Sequence, residues 1–206
     1  MTKRLPIKAL FVDIGGVFLT NGWDHDARQK AAITFKLNAM ELDERHRIAF
    51  DAYEEGKLTL DEYLDMTVFY VKRPFTRKAF IRFMFAQTKE LPGMIDFVTR
   101  LKAKYKLKVA VVSNEGRELN AYRITKFKIT DFVDFFVSSG YVGMRKPDPG
   151  MFHLALDLIQ VDPAQVAYLE DRQIFVDVAA KFGIKGVQHS DLASTKKKFA
   201  ALGLRA

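Results

Sequence analysis

Ile7-Lys8-Ala9-Leu10-Phe11-Val12-Asp13-Ile14-Gly15-Gly16 carries the pattern on which the rest of the chain is built. Its apolar run from Ile7 to Val12 has the length of a buried strand, ends on a carboxylate, and passes into two glycines suited to a tight turn. The same arrangement recurs down the chain. Leu107 to Val112 runs into Ser113-Asn114, and Val166 to Leu169 into Glu170-Asp171, while Phe135 to Val137 and Gly186 to Gln188 read as two further strands.

Helix-period segments fill the spaces between them: Met94 to Lys104, Arg117 to Phe127, Met151 to Ile159 with Pro149 near its start, and Ile174 to Phe182 with Gly183 as a C-terminal cap. Strands alternating with helices predict right-handed crossovers and a mainly parallel sheet, hence an α/β, Rossmann-like core. From about Asp24 to Glu90 the pattern changes. Four helix-period segments follow one another, near Asp26 to Leu37, Asp43 to Glu54, Leu60 to Val71 and Thr76 to Thr88, with no convincing strand. The expected organisation is a core of residues 1–22 and 91–206 interrupted by a helical insertion of residues 23–90.

Composition narrows the function classes. Hydrophobic residues make up 49% of the 206 and charged residues 28%, as in an ordinary globular protein. No apolar run approaches the roughly 20 residues of a membrane helix, and the basic stretch Met1 to Pro6 lacks the apolar region of a secretory signal, so a cytoplasmic location is expected and no membrane partner. The absence of cysteine removes disulfides and thiolate metal sites, leaving oxygen or imidazole for any metal. A net charge of +8 favours anionic partners without choosing among them. The densest run, Lys196 to Lys198, shares an amphipathic segment with Phe199 and Leu202 and reads as a solvated helix face, so nucleic acid is not an expected partner. Oligomeric state is not readable.

In an open parallel sheet, ligands bind where the loops at the carboxyl ends of the strands meet. Asp13, Ser113-Asn114 and Glu170-Asp171 occupy three such ends. Each has an ordinary alternative: a turn or cap for Asp13, a helix cap for Ser113, a cap pair for Glu170 and Asp171, a solvated loop lysine for Lys146. Four such coincidences together are a poor account of the chain.

Phe11-Val12-Asp13-Ile14-Gly15-Gly16-Val17, then Val111-Val112-Ser113-Asn114, then Arg145-Lys146-Pro147-Asp148-Pro149-Gly150-Met151-Phe152, then Tyr168-Leu169-Glu170-Asp171 resemble, in order and spacing, the four motifs of the haloacid dehalogenase superfamily, and in particular its sugar-1-phosphate phosphatase-like branch. The Lys146-Pro147-Asp148-Pro149 segment is the most specific piece, and the helical insertion resembles the small cap of the superfamily's first cap class. The resemblance implies a hydrolase acting on a small phosphorylated metabolite. Asp13 would be the nucleophile that forms an aspartyl-phosphate, Ser113 and Asn114 would bind the phosphoryl oxygens, and Lys146 would neutralise charge. Asp13, the carbonyl of Gly15, Asp171 and Glu170 would hold Mg²⁺.

Two departures from the superfamily pattern matter. The second acid, two residues after the nucleophile, is replaced by Gly15, which cannot transfer a proton. Four residues after Asp171, where an Asp or Asn often supports the metal, stands Phe175. Asp24, His25 and Asp26 are candidate substitute proton donors, although a polar helix start is the simpler reading. The aromatics Tyr53, Tyr63, Phe69 and Tyr70 read as a cap core. Two other functions stay open at this point: a metal-free haloacid dehalogenase, and a catalytically weak relative that binds a phosphorylated ligand.

Overall fold

The computed structural model describes residues 5–206. Met1 to Arg4, the start of the segment considered above for a secretory signal, lie outside the described residues. Five parallel strands, β1 (Ala9–Val12), β2 (Lys108–Ser113), β3 (Phe135–Ser138), β4 (Val166–Glu170) and β5 (Lys185–Gln188), form one sheet in the order β3-β2-β1-β4-β5. The chain winds outward from β1 through β2 to β3, then crosses to the other side for β4 and β5. The order therefore reverses at β1, and the crevice that this opens lies at the carboxyl end of the strand that delivers Asp13.

Both faces of the sheet are covered, which is why its strands read as continuous apolar runs. The strand period of two nevertheless sorts the residues. Leu10 and Val12 of β1, with Val109 and Val111 of β2, pack against Phe97, Leu101 and Phe199; Ala9, Phe11, Ala110 and Val112 pack on the opposite face against Phe152, Ile159 and Ala179. Those side chains come from the flanking helices α5 (Met94–Tyr105), α8 (Pro149–Ile159), α9 (Gln173–Ala180) and α10 (Leu192–Ala201). Two further helices, α6 (Arg117–Lys126) and the single turn α7 (Ser139–Val142), follow β2 and β3. In α10 Phe199 is fully buried while Lys196 and Lys197 face solvent, the amphipathic arrangement expected of the lysine run.

Between β1 and α5 lie α1 (His25–Phe35), α2 (Ala39–Glu54), α3 (Leu60–Thr67) and α4 (Arg77–Ala86). They bury their own cluster, including Trp23, Tyr53, Tyr63, Leu64, Phe80 and Met84. Local chemistry sets their ends. Helix α2 begins four residues before Asp43 because the Asn38 side chain accepts from Glu41 N. Helix α3 opens on a reciprocal capping box between Thr59 and Glu62. It stops at Thr67 rather than Val71: Phe69 N turns back to Leu64 O, and the carbonyl of Val68 accepts from Arg73 Nε instead of a helical N–H. Among the described residues no helix is long and apolar enough to cross a membrane.

Candidate active site

Asp13 follows β1 directly, and the β1–β4 register pairs Val12 with Leu169, so Asp13 stands level with Glu170 at the next position. The chain then turns sharply. Gly16 takes a positive φ of 70°, and a Cβ there would fall 2.3 Å from Asp171 Oδ2, so only glycine lets this turn pass beside the second carboxylate. One carboxylate oxygen each from Asp13, Glu170 and Asp171 can be chosen so that all lie within 4.8 Å of one another.

Lys146 is buried between two of these carboxylates. Its Nζ lies 3.0 Å from Asp13 Oδ2 and 2.6 Å from Glu170 Oε2, and it donates to Tyr168 Oη at 3.1 Å. The Tyr168 hydroxyl in turn donates to Glu170 Oε2, and Arg172 N donates to Glu170 Oε1 at 3.1 Å. Both Glu170 oxygens are thus engaged in holding Lys146 and the start of α9. Asn114 holds the same lysine from the other side. Its amide donates to Lys146 O at 2.9 Å and accepts from Lys146 N at 2.7 Å, pinning the lysine loop to the end of β2. Ser113 lies beside Asp13, with a buried Oγ that makes no hydrogen bond of ordinary geometry.

The charges bias one another. Burial, and secondarily Glu170, pushes the Asp13 carboxyl up to about 6 against the pull of Lys146 and Ser113. Burial alone would lower the Lys146 ammonium, but attraction to Asp13 and Glu170 outweighs it and holds the group above its ordinary value. The ammonium is therefore a fixed cation beside the carboxylate expected to attack.

Above this floor opens a cavity of about 350 Å³, bounded by the core loops below and by α1 and α2 above. Phe175 lines it, with its ring 5.0 Å from Lys146 Nζ, so the position without an acid carries an aromatic face for the lysine. Asp177 faces solvent on the other side of α9 and bonds Gln173. Asp24 and His25 reach the cavity, but Asp24 caps α1 through Ala27 N and His25 Nδ1 pairs with Asp43 at 3.1 Å; Asp26 does not line it. Of the four cap aromatics named from the sequence, none lines the cavity. Tyr53 and Tyr63 instead stack in the helical core at 5.1 Å.

Sequence reasoning missed most of the upper wall: Arg28 from α1, His46, Phe50 and Glu54 from α2, together with Glu115, Arg123, Arg145 and Arg172. Arg145 adjoins Lys146 in the third motif, and it bridges the two parts by pairing with Asp51 and, at 2.8 Å, with Glu54. Arg123 explains the surroundings of Gly15. It is buried, bonds Glu115, and donates to Thr20 O at 3.2 Å and Asn21 O at 2.8 Å. A Cβ on Gly15 would stand 2.9 Å from Asn21 Oδ1 and 3.7 Å from Arg123 Nη1. The space that a side chain at position 15 would enter is bordered by a guanidinium.

The fold is shared with known proteins. The chain is 26% identical over 199 residues to the glyceraldehyde 3-phosphate phosphatase of Pyrococcus abyssi, covering 88% of this chain and 78% of that one. A HAD family enzyme of Bacteroides thetaiotaomicron, solved with magnesium and inorganic phosphate, matches with a TM-score of 0.73 at 22% identity, over 89% of this chain and 94% of its own. The L-2-haloacid dehalogenase of Xanthobacter autotrophicus, with chloropropionic acid covalently bound, matches at 0.64 and 16% identity, over 90% and 78%. These two structures establish the fold and do not separate phosphorus from carbon chemistry. The sequence model of the haloacid dehalogenase-like hydrolases matches residues 29–188, and the chain belongs to that family.

Proposed function

We propose that this hydrolase is a Mg²⁺-dependent phosphatase of small phosphate monoesters, with residues 23–90 acting as a cap over a core of residues 1–22 and 91–206. The observation that carries the reading is the buried Lys146 ammonium 3.0 Å from Asp13, with the Asp171 carboxylate completing an oxygen cluster at the same spot. A carboxylate attacking an anionic ester needs positive charge on both, and the cluster's all-oxygen donor set suits a hard divalent cation. Asp13, the Gly15 carbonyl and Asp171 would hold Mg²⁺, the Glu170 oxygens being engaged by Lys146, Tyr168 and Arg172 N. When bound, the ion would supply Lewis-acid charge that offsets the repulsion between carboxylate and phosphate.

In the first step an Asp13 oxygen bonds to phosphorus as the ester P–O bond breaks, and the departing oxygen takes its proton from solvent water, because Gly15 offers none; the hydroxide left behind takes up the proton that the attacking water gives off in the second step. Lys146 stabilises the phosphoryl charge, the Ser113 hydroxyl beside Asp13 donates to a phosphoryl oxygen, and Asn114 holds the lysine loop in register. Water then attacks phosphorus, the bond to Asp13 breaks, and the carboxylate is restored with release of phosphate. A metal-free dehalogenase does not need the cation site that Asp13 and Asp171 form together, which favours the phosphatase. The relative of Pyrococcus abyssi, a phosphatase by name, points the same way. Phosphate release from an aryl phosphate and from a panel of phosphorylated metabolites, with Mg²⁺ and with chelator, tests the proposal. Metal-dependent release is expected, and halide release from 2-haloacids that is indifferent to chelator would reverse it.

A further inference from the structure

Two residues of the cavity wall, Trp23 and His46, are joined through the buried Tyr63 behind them, three side chains bonded in series. Trp23 Nε1, which can only donate, lies 2.9 Å from Tyr63 Oη, and Tyr63 Oη lies 2.8 Å from His46 Nδ1. The neighbouring Thr67 hydroxyl is committed to the Tyr63 carbonyl at 2.8 Å. Tyr63 accepts from the indole and has one proton of its own to give; given to His46, it makes Nδ1 the acceptor nitrogen and puts the ring proton on Nε2.

The ring is also kept neutral. Burial, and then the charge of Arg28, pushes His46 down to about 3, with Asp43 pulling weakly the other way. Tyr63 in its turn is fully buried in the cap core, so the series has a rigid base. His46 lines the cavity between Arg28 and Phe50, with its ring 4.3 Å from that of Phe50, and Nε2 has no hydrogen-bond partner among the described residues. The charged groups of the wall are mostly paired, Arg28 with Asp43, Arg123 with Glu115, Arg145 with Glu54; of the neutral amides, Asn114 is engaged with Lys146, and Asn21 lies on the core side beside Gly15.

We propose that His46 is a specificity-determining residue, a neutral Nε2–H donor fixed by the Trp23–Tyr63 series, which reads an uncharged oxygen, hydroxyl or carbonyl, on the part of the substrate remote from phosphorus. The inference rests on the phosphate-ester reading of the cavity. A partly desolvated donor left without an acceptor costs free energy, so an ester whose tail lacks that oxygen binds less well.

The test compares glycerol 3-phosphate with propyl phosphate, which differ in hydroxyl groups, by calorimetry on Mg²⁺-supplemented Asp13→Asn protein. With His46 present, glycerol 3-phosphate should bind about tenfold more tightly. His46→Phe should bring the ratio to about one without weakening propyl phosphate or inorganic phosphate, and His46→Gln, which keeps an N–H near the Nε2 position, should restore most of it. A preference that survives in His46→Phe, or equal binding of the two esters with His46 present, overturns the inference alone. Failure of both esters to bind, together with failure of inorganic phosphate to bind the parent protein in which Asp13 is intact, overturns the phosphate reading and this inference with it. Nitrogen-15 spectra of the histidines give a check that needs no ligand: His46 should show a protonated Nε2 at neutral pH, and a protonated Nδ1 contradicts the proposal even if His46→Phe fails to fold.

Discussion

Gly16 and Asp171 approach so closely that no side-chain carbon fits between them: a Cβ at position 16 would lie 2.3 Å from Asp171 Oδ2, in a backbone conformation with φ of 70° that also disfavours one. Gly16→Ala must therefore move either the turn that carries Asp13 and the Gly15 carbonyl or the carboxylate itself. A displacement of about 1 Å in a catalytic group costs on the order of 10²-fold. Gly16→Ala should lower kcat by at least about that factor and raise the Mg²⁺ concentration needed for half-maximal rate. Steady-state rates across a Mg²⁺ titration measure both.

Glu170 is wholly buried and bears on Lys146, Tyr168 and the backbone of Arg172. Removing one partner of a buried, hydrogen-bonded ion pair typically costs about 3–5 kcal/mol, because the other charge is left behind. Glu170→Ala should lose stability in that range by denaturant titration, while Glu170→Gln, which retains an acceptor, should lose clearly less. If Glu170 were chiefly a metal ligand, both variants would fold about as well as the parent and differ from it mainly in metal affinity.

Position 15 admits an acid in chemistry but not freely in space. An aspartate there would press on Asn21 Oδ1 and sit beside the Arg123 guanidinium, which would hold the new carboxyl ionised and draw it from the leaving group. General acid catalysis is worth about 10²–10⁴-fold. Gly15→Asp alone should change kcat on alkyl phosphates by less than about tenfold, well short of that range. A gain of the full size would show that Arg123 leaves the new acid free, and comparison of alkyl with aryl phosphates separates proton transfer from other effects.

How much of this was legible beforehand depended on whether a feature is local. Apolar runs ending in Asp13, Ser113 and Glu170-Asp171 marked strand ends, and the parallel sheet that brings them together follows from alternation with helices. Helix ends shifted where a side-chain cap decided them, as Asn38 did for α2. The cavity wall was a different matter. His46 and Phe50 lie four residues apart on one helix face, a spacing equally suited to the cap core, and Tyr53 and Tyr63 did go to that core. Which aromatic faces the cavity is set by how the cap sits on the core, through Arg145 with Glu54 and Ser139 Oγ with Glu54 O, contacts between residues far apart in the chain. Arg123 and Glu115 were unreadable for the same reason: a buried pair formed across a helix start looks in sequence like two ordinary surface charges.

The neutral state of His46 has a pH signature. Its folded value of about 3 lies below the ordinary 6.5, so between those values the unfolded chain binds a proton that the folded one does not. The stabilisation is complete above the ordinary value and is lost as pH falls through it. From pH 7 to pH 5 the protein should lose roughly 1–2 kcal/mol more stability than His46→Gln, as followed by urea unfolding at several pH values. Equal slopes for the two proteins would mean that the ring is protonated in the fold.

The central claim is that Asp13 forms a covalent bond to phosphorus. Rapid quenching during turnover of a phosphate monoester, followed by borohydride reduction and peptide mapping, tests it most directly, because an acyl phosphate is reduced to the alcohol while a free carboxylate is not. Homoserine is expected at position 13 only when substrate and Mg²⁺ are both present, and not at all in Asp13→Asn, which should also be inactive. Sustained hydrolysis with residue 13 unlabelled, or full activity in Asp13→Asn, would contradict the claim.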